Sequence, residues 1–435
     1  MSKRRVFYEP FCLVLAAALC AAGVWTYANR VLIPHQISDA AAQDRPRGNL
    51  SDLYPRWLGA RELLLRGRDP YSPEVTREIQ QSYYGRPLDP ARPGDPRDQQ
   101  GFAYPVYVAL YLAPTIHLPF EIVRKGFFWV LLGLTLATIP LWLRVLRWSA
   151  PWWVEASLIV LTLGSVPVMQ GLKLQQMTLF VVALLAVAMT FFASDRPIAA
   201  GVALALSTIK PQLVWLLLLW LTIWTLADWR RRYRWAVSFL FTMAILCAAS
   251  EWYLPHWIPR FVQAVRQYRG YNDAVSILDR LLPAHWGAIP RVLAVAATLH
   301  IGWRNRRFAE DTPAFAATVC LGLAVTVLVI PTYALYNQVM LLPALLMLAR
   351  DRQLLWRRNG VSRVLLGLTA VLLLWPWLAS IVLAGLSFVM PLSMVETAWA
   401  VPLWTVPFLP VGVAALVLMM SYERTFAAPA GPGSS

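Results

Sequence analysis

The strongest constraint on this chain is a series of apolar blocks, at about 11–27, 104–118, 126–143, 152–168, 177–193, 197–227, 235–250, 288–301, 313–330, 338–349, 363–383 and 400–420. A soluble fold scatters its apolar residues over amphipathic elements, whereas runs of this kind are sized for a bilayer. Composition agrees: 58% of the 435 residues are hydrophobic, 14% are charged and 21 are Trp. The chain therefore reads as an all-α, polytopic transmembrane helical bundle with about twelve crossings. Its net charge of +16 does not indicate a nucleic-acid partner, because the arginines fall in clusters between apolar blocks and form no contiguous basic face. Cys12, Cys20, Cys247 and Cys320 all lie in apolar segments without metal-type spacing, and read as small core residues. Lys3-Arg4-Arg5 before the first block, with many spans following, indicates a retained signal anchor.

The arginine clusters orient the blocks. Arg144/Arg147, Arg196, Arg230 to Arg234, Arg304/Arg306/Arg307 and the stretch 350–363 belong on the cytoplasmic side. The resulting organisation is a cytoplasmic tail and first span (1–27), a first extracytoplasmic loop (28–103), a transmembrane core (104–250), a second extracytoplasmic loop (251–287), C-terminal spans (288–424) and a disordered tail (425–435). Placing Arg144 and Arg196 inside requires 104–118 to dip in and return, and 197–227 to break at Lys210-Pro211, where proline removes a backbone donor. In the alternative, 104–118 is a full span and 197–227 is one tilted helix.

Both long loops are expected to carry interfacial helices. The first holds 11 Arg and 10 acidic residues, nearly balanced, so it is a folded loop and not a basic tail. Within it, Ser51-Asp52 precede a helical pattern with Leu53, Trp57, Ala60 and Leu64 on one face and Arg56, Arg61 and Arg66 elsewhere, predicting a helix lying in the membrane interface. Gly67 should end it and Asp69-Pro70-Tyr71 should turn the chain away. Asp52 has two readings: an N-cap for that helix, or a catalytic base held at the membrane face. Asp39 and Asp44 are further candidate bases in the same loop. Glu155 is expected to make a structural ion pair near the Arg147 end of its helix. The second loop interleaves Trp252, Tyr253, Trp257, Tyr268 and Tyr271 with Arg260, Arg266 and Arg269, which suits either an aromatic belt or part of an acceptor site.

Several local patterns resemble glycosyltransferase family 87. They are Ser51-Asp52-Leu53-Tyr54, then Arg66-Gly67-Arg68-Asp69-Pro70-Tyr71, then Gly101-Phe102-Ala103-Tyr104-Pro105. Gln175-Gln176-Met177-Thr178, the run from Ala200-Gly201 to Lys210-Pro211, and Pro331-Thr332-Tyr333 with Tyr336-Asn337-Gln338 extend the resemblance to about 52–343. The chain differs in having Gln175 where Gly is usual, Thr178 where Asn is usual, Pro211 directly after Lys210 where a spacer is common, and Asn337 where many relatives carry an acidic residue or His. The resemblance implies a GT-C-like fold and a polyprenyl phosphate sugar donor, with mannose as the family-weighted sugar. It further implies a glycolipid, cell-envelope glycan or protein acceptor, and action on the outer face.

A polyprenyl phosphate is an ionised leaving group, so the protein must supply a base for the acceptor hydroxyl, positive charge for the departing phosphate, and positioning. Asp52 is the candidate base, acting with inversion if it faces the sugar opposite the phosphate. Lys210, a lysine inside an apolar run, is the candidate for the phosphate, with Lys173 as a possible helper. Gln176, Tyr54, Tyr104, Tyr333, Tyr336, Asn337 and Gln338 are the candidate substrate-binding residues. Membrane lipids are the surrounding partner. No cofactor is expected and a divalent metal is left open. The composition suits a bacterial inner membrane with the site on its extracytoplasmic face. A transporter or flippase for lipid-linked sugars, and an inactive scaffold subunit, are the alternatives; against a transporter, the chain shows no clear internal repeat.

Overall fold

The computed structural model describes residues 3–426 apart from 43–50, 90, 93, 272–274, 284–285 and 332. Asn49, the candidate base Asp44, Thr332 and the tail beyond 426 therefore lie outside the described residues. The fold is all-helical, with 79% of residues in helix and no strand among those described.

Among the described residues, four helices are long and apolar enough to cross a membrane: Pro10–Ala42, Phe120–Val145, Trp229–Tyr253 and Gly360–Val389. All four expose large apolar side chains such as Phe11, Trp129, Phe241 and Val371, as helices facing hydrocarbon must. The first runs past the boundary expected at residue 27, through a π-helical turn at Ala28–Leu32, to Ala42. The pair Trp152–Leu163 and Val166–Lys173, bent by 57°, is long and apolar enough only when the two helices are taken together. At the bend a Cβ on Gly164 would lie 2.3 Å from the Ala21 backbone, so only glycine admits the first helix there. The carbonyls freed by the bend are not left bare: Trp25 Nε1 donates to Leu163 O at 3.2 Å and Trp377 Nε1 to Gly164 O at 2.8 Å.

Inside this shell lie shorter apolar helices, including Met177–Ala193, Pro197–Ser207, Pro211–Leu226 and Pro313–Val329. The block 197–227 is two helices, broken at residues 208–210 with Pro211 opening the second. The block 104–118 yields only a five-residue helix, Val108–Leu112, and a 3-10 turn, Ala113–Thr115. At about 1.5 Å per residue neither reaches across the ~30 Å of a bilayer core. The chain is thus broken at Lys210-Pro211 and does not run through 197–227 as one helix.

Trp220, Trp224, Phe192 and Phe315 form the aromatic centre of the inner layer, with ring centroids 5.0 to 6.2 Å apart. Beyond it the arginine-rich segments meet at one end. Arg147 pairs with Asp311 at 2.9 Å, Arg350 donates to Leu146 O, and Arg232 donates to Trp224 O and Arg306 O, each at 2.6 Å. Arg147 thus takes Asp311 as its partner and not Glu155, because the turn at Trp148 to Pro151 carries Glu155 on into the next helix. Of the four cysteines only Cys320 is fully buried, and Cys12 is exposed.

At the opposite end the two long loops close over the inner helices. Leu53–Arg66 is packed on nearly all sides: Leu53, Tyr54, Trp57, Leu58, Ala60 and Leu63 are all buried. A Cβ on Gly59 would meet the Phe102 ring at 2.4 Å, and Trp57 Nε1 donates to Thr115 O at 3.2 Å. This helix is an internal element, where an interfacial one was expected. Gly67 ends it in the left-handed region (φ 64°), with Gly67 N–H on Leu63 O and Arg68 N–H on Glu62 O, as its position after the apolar pattern predicts. The turn at Asp69 closes through Tyr71 N–H on Asp69 Oδ1 at 2.8 Å. The second loop lays the helix Trp257–Tyr271 beside the first loop, fastened by an Arg260–Asp69 ion pair at 2.7 Å.

Candidate active site

Asp52 stands immediately before the helix Leu53–Arg66, in the cap position, but its side chain makes no capping bond. The helix instead begins with Tyr54 N–H bonded to Ser51 O at 2.9 Å, so the carboxylate is released to point elsewhere. It accepts a hydrogen bond from Gln176 Nε2. The Gln176 carbonyl oxygen accepts from Lys210 Nζ at 2.8 Å, and Lys210 also donates to Thr178 Oγ1 at 2.9 Å. The Thr178 hydroxyl then donates to Asn337 Oδ1 at 3.1 Å. Five polar side chains from four segments form one continuous chain, with the acid at one end.

Helix breaks bring these residues together. Gln176 and Thr178 stand at the start of Met177–Ala193, just after Gln175, whose backbone is left-handed (φ 47°). That conformation favours glycine; here Gln175 stabilises the turn by donating to Leu172 O at 2.7 Å. Lys210 lies in the break between Pro197–Ser207 and Pro211–Leu226. Asn337 belongs to the 3-10 helix Leu335–Leu341. Polar groups at such breaks sit among apolar helices, and Gln176, Thr178, Lys210 and Asn337 are all buried. Buried polar groups of this kind persist only when they are bonded to one another or to a ligand.

A second cation belongs to the site. Arg56, one helical turn after Asp52, donates to Asp52 O at 2.7 Å, and its guanidinium lies 4.6 Å from the Tyr104 ring centre. The Lys210 ammonium is 5.7 Å from the same ring and 5.0 Å from that of Tyr336. Tyr104 and Tyr336 thus form an aromatic wall against both cations. Protein encloses the Asp52 carboxylate, although part of it stays accessible, and burial raises its pKa above the ordinary carboxylate value against the pull of Arg56, Lys210 and the Gln176 amide. Asp98 is likewise raised by burial and lies within electrostatic reach of Asp52 and Arg56, as does Tyr268 of the second loop.

Of the residues singled out in the sequence, Asp52, Gln176, Lys210, Tyr104, Tyr336 and Asn337 converge. The others go elsewhere. Lys173 donates to Gln36 at 2.9 Å, and Tyr54 packs edge-on against Phe120 at 4.8 Å. Tyr333 lies under Arg280 at 5.1 Å. Gln338 donates to Val406 O at 2.8 Å and lines an apolar cleft of about 220 Å³ facing Leu372 and Trp377. Arg56, Thr178 and Asp98 are the additions. The apolar pattern places Arg56 on the polar side of an interfacial helix; because the N-terminal part of that helix is packed on nearly all sides, its off-stripe arginine turns inward. The signal available was the i, i+4 spacing from Asp52.

Fold and site together define an integral-membrane helical protein that buries one acid and two cations among aromatic rings at the end opposite its arginine clusters. A model of glycosyltransferase family 87 matches residues 102–331, just over half of the chain, and the chain belongs to that family. It is accordingly a glycosyltransferase. The matched span contains Tyr104, Gln176, Thr178 and Lys210, whereas Asp52, Arg56 and Asn337 lie outside it. No curated protein and no solved structure matches the chain.

Proposed function

We propose that this protein transfers a hexose, mannose by family weight, from a polyprenyl phosphate donor to a glycolipid or cell-envelope glycan, at the extracytoplasmic face of a bacterial inner membrane. In this reading the fold is GT-C-like with twelve crossings. In support, the block 197–227 is two helices, Pro197–Ser207 and Pro211–Leu226, each counted here as one passage.

The observation that carries the reading is the bonded series Asp52–Gln176–Lys210, with Arg56 beside it. Asp52 takes the proton from the acceptor hydroxyl as that oxygen attacks the anomeric carbon. The bond from that carbon to the phosphate oxygen breaks, and the phosphate leaves with its electron pair toward Lys210 and Arg56, whose N–H donors are already held in place. A single displacement with base and leaving group on opposite faces inverts the anomeric centre. A carboxylate whose pKa is raised by burial is the better base for a hydroxyl, and Gln176 fixes its direction by bonding one carboxylate oxygen.

The test is purified protein supplied with labelled polyprenyl-phosphate mannose and a membrane lipid extract. Native protein should transfer label, and Asp52→Asn should transfer at least about a hundredfold more slowly, the range that general-base removal covers. Undiminished transfer by Asp52→Asn would remove Asp52 as the base. Absence of transfer from any lipid-linked sugar would turn the reading toward transport.

A further inference from the structure

Away from Asp52, the first and second loops enclose a crevice of about 630 Å³ between the helices Pro73–Tyr84 and Trp257–Tyr271. That volume is in the range of sites that hold a small ligand. Its chemistry differs from that of the buried site. Gln80 and Gln99 form one wall, locked together by Gln80 Nε2 on Gln99 O and Oε1, both at 3.0 Å. Gln263 and Gln267, one helical turn apart and exposed, face them from the other. Tyr71, Phe102 and Tyr271 supply aromatic surface. The charges in the lining are paired: Asp69 with Arg260 at 2.7 Å, and Arg77 with Glu74 at 3.3 Å. Amides and aromatic faces suit the hydroxyls and C–H faces of a sugar, and both arginines of the lining are already paired with carboxylates.

The crevice adjoins the reacting groups. The strip 98–104 separates the two: Gln99, Gly101 and Phe102 line the crevice, whereas Asp98 and Tyr104 face Arg56 and Asp52. Across it, Tyr271 lines the crevice and packs against Tyr268 at 5.5 Å, and Tyr268 lies within electrostatic reach of Arg56 and Asp52. We propose that this crevice is the acceptor subsite and takes a neutral oligosaccharide, leaving its terminal hydroxyl to reach Asp52 past Tyr268. This assignment rests on the glycosyl-transfer reading for its role, though not for its binding chemistry.

The experiment uses the full chain in lipid nanodiscs and measures equilibrium binding of mannotriose and of mannose 6-phosphate, alongside transfer from polyprenyl-phosphate mannose. The double variant Gln263→Ala/Gln267→Ala removes exposed amides only, and Gln267→Trp fills the space. Both should weaken mannotriose binding, and raise the acceptor KM, at least about tenfold, the loss of one to two hydrogen bonds. Mannotriose affinity and acceptor KM unaltered in both variants, no mannotriose binding to native protein at 10 mM, or tighter binding of mannose 6-phosphate would each overturn the subsite. If native protein binds mannotriose through these glutamines yet transfers nothing, the crevice stands and the transfer reading fails; if transfer depends on Asp52 but not on the glutamines, the reverse holds.

Discussion

Two buried arginines, one at each end of the bundle, show how the same side chain is put to different use. Arg232 is 5% exposed and directs its guanidinium at main-chain carbonyls: Trp224 O and Arg306 O at 2.6 Å and Phe308 O at 3.0 Å. These oxygens belong to the C-terminal ends of Pro211–Leu226 and Ala288–Asn305 and to the turn that follows. Helix C-termini leave carbonyls without partners and carry partial negative charge, so the cation seals them. Arg56 makes one bond to a carbonyl, Asp52 O, and otherwise faces side chains: the Asp52 carboxylate and the ring of Tyr104. The first arrangement is closed by the fold itself. The second gathers two cations, an acid and aromatic faces where helices break, which costs stability unless a ligand uses it.

Substitution should separate the two. Arg56→Gln should keep the fold and cut transfer about a hundredfold or more, the scale on which one electrostatic contact to a leaving group acts. The loss should appear in kcat, since the phosphate's charge grows as the bond breaks. Arg232→Gln should do the opposite. It leaves carbonyls unsealed and should cost roughly 2–4 kcal/mol, read as a lower melting temperature, while the folded fraction turns over at the native rate. Equal activity losses in both variants, or a stable Arg232→Gln protein with a slow turnover, would break the comparison.

Asp52 gives a further distinction through pH. Its pKa is raised in the folded protein, so the native state holds the proton more tightly than the unfolded chain. The stability that this group contributes is fully present below its unfolded pKa and is lost as pH rises through the folded value. At neutral pH Asp52→Asn should therefore melt above the native protein although it transfers far more slowly. The native rate should fall as pH is lowered through the raised pKa, because the base must be ionised, and the midpoint should lie above the ordinary carboxylate value of about 3.8. A melting temperature unchanged by Asp52→Asn at every pH would show that burial exacts no cost there.

Much of this site is written in the sequence as polar residues at the edges of apolar runs. Lys210 and Gln176 could be found that way because hydrocarbon surroundings leave few uses for an amide or ammonium group. The break at Lys210-Pro211 was legible for a backbone reason, the missing proline donor. What the sequence concealed was direction. Lys173 and Gln176 are three residues apart, yet the left-handed turn at Gln175 sends one to Gln36 and the other to Asp52. Tyr333 and Tyr336 are equally close, but only Tyr336 lies on the 3-10 helix that enters the site. Arg56 is hidden from the pattern because a stripe argument fails where a helix is packed on nearly all sides, as this one is from Leu53 to Leu63. The crevice joins loops nearly two hundred residues apart, which local spacing cannot register.

The finest contrast lies within the buried series itself, at Thr178. Its oxygen accepts from Lys210 at 2.9 Å while its hydroxyl donates to Asn337 at 3.1 Å, so it sets the ammonium's position and touches neither the acid nor Arg56. Thr178→Val keeps the shape and removes both bonds. One hydrogen bond to a cation contributes on the order of 1.5–3 kcal/mol when its partner stays buried, less where a neighbouring acceptor takes over. Gln176 remains to hold Lys210, so the expected effect is the smaller one: the donor KM should rise about three- to tenfold and kcat should change little, with Thr178→Ser restoring both. A kcat loss as large as that of Arg56→Gln would mean that Lys210 must be aimed as strictly as Asp52, and the aiming role would then belong to Thr178 as well as to Gln176.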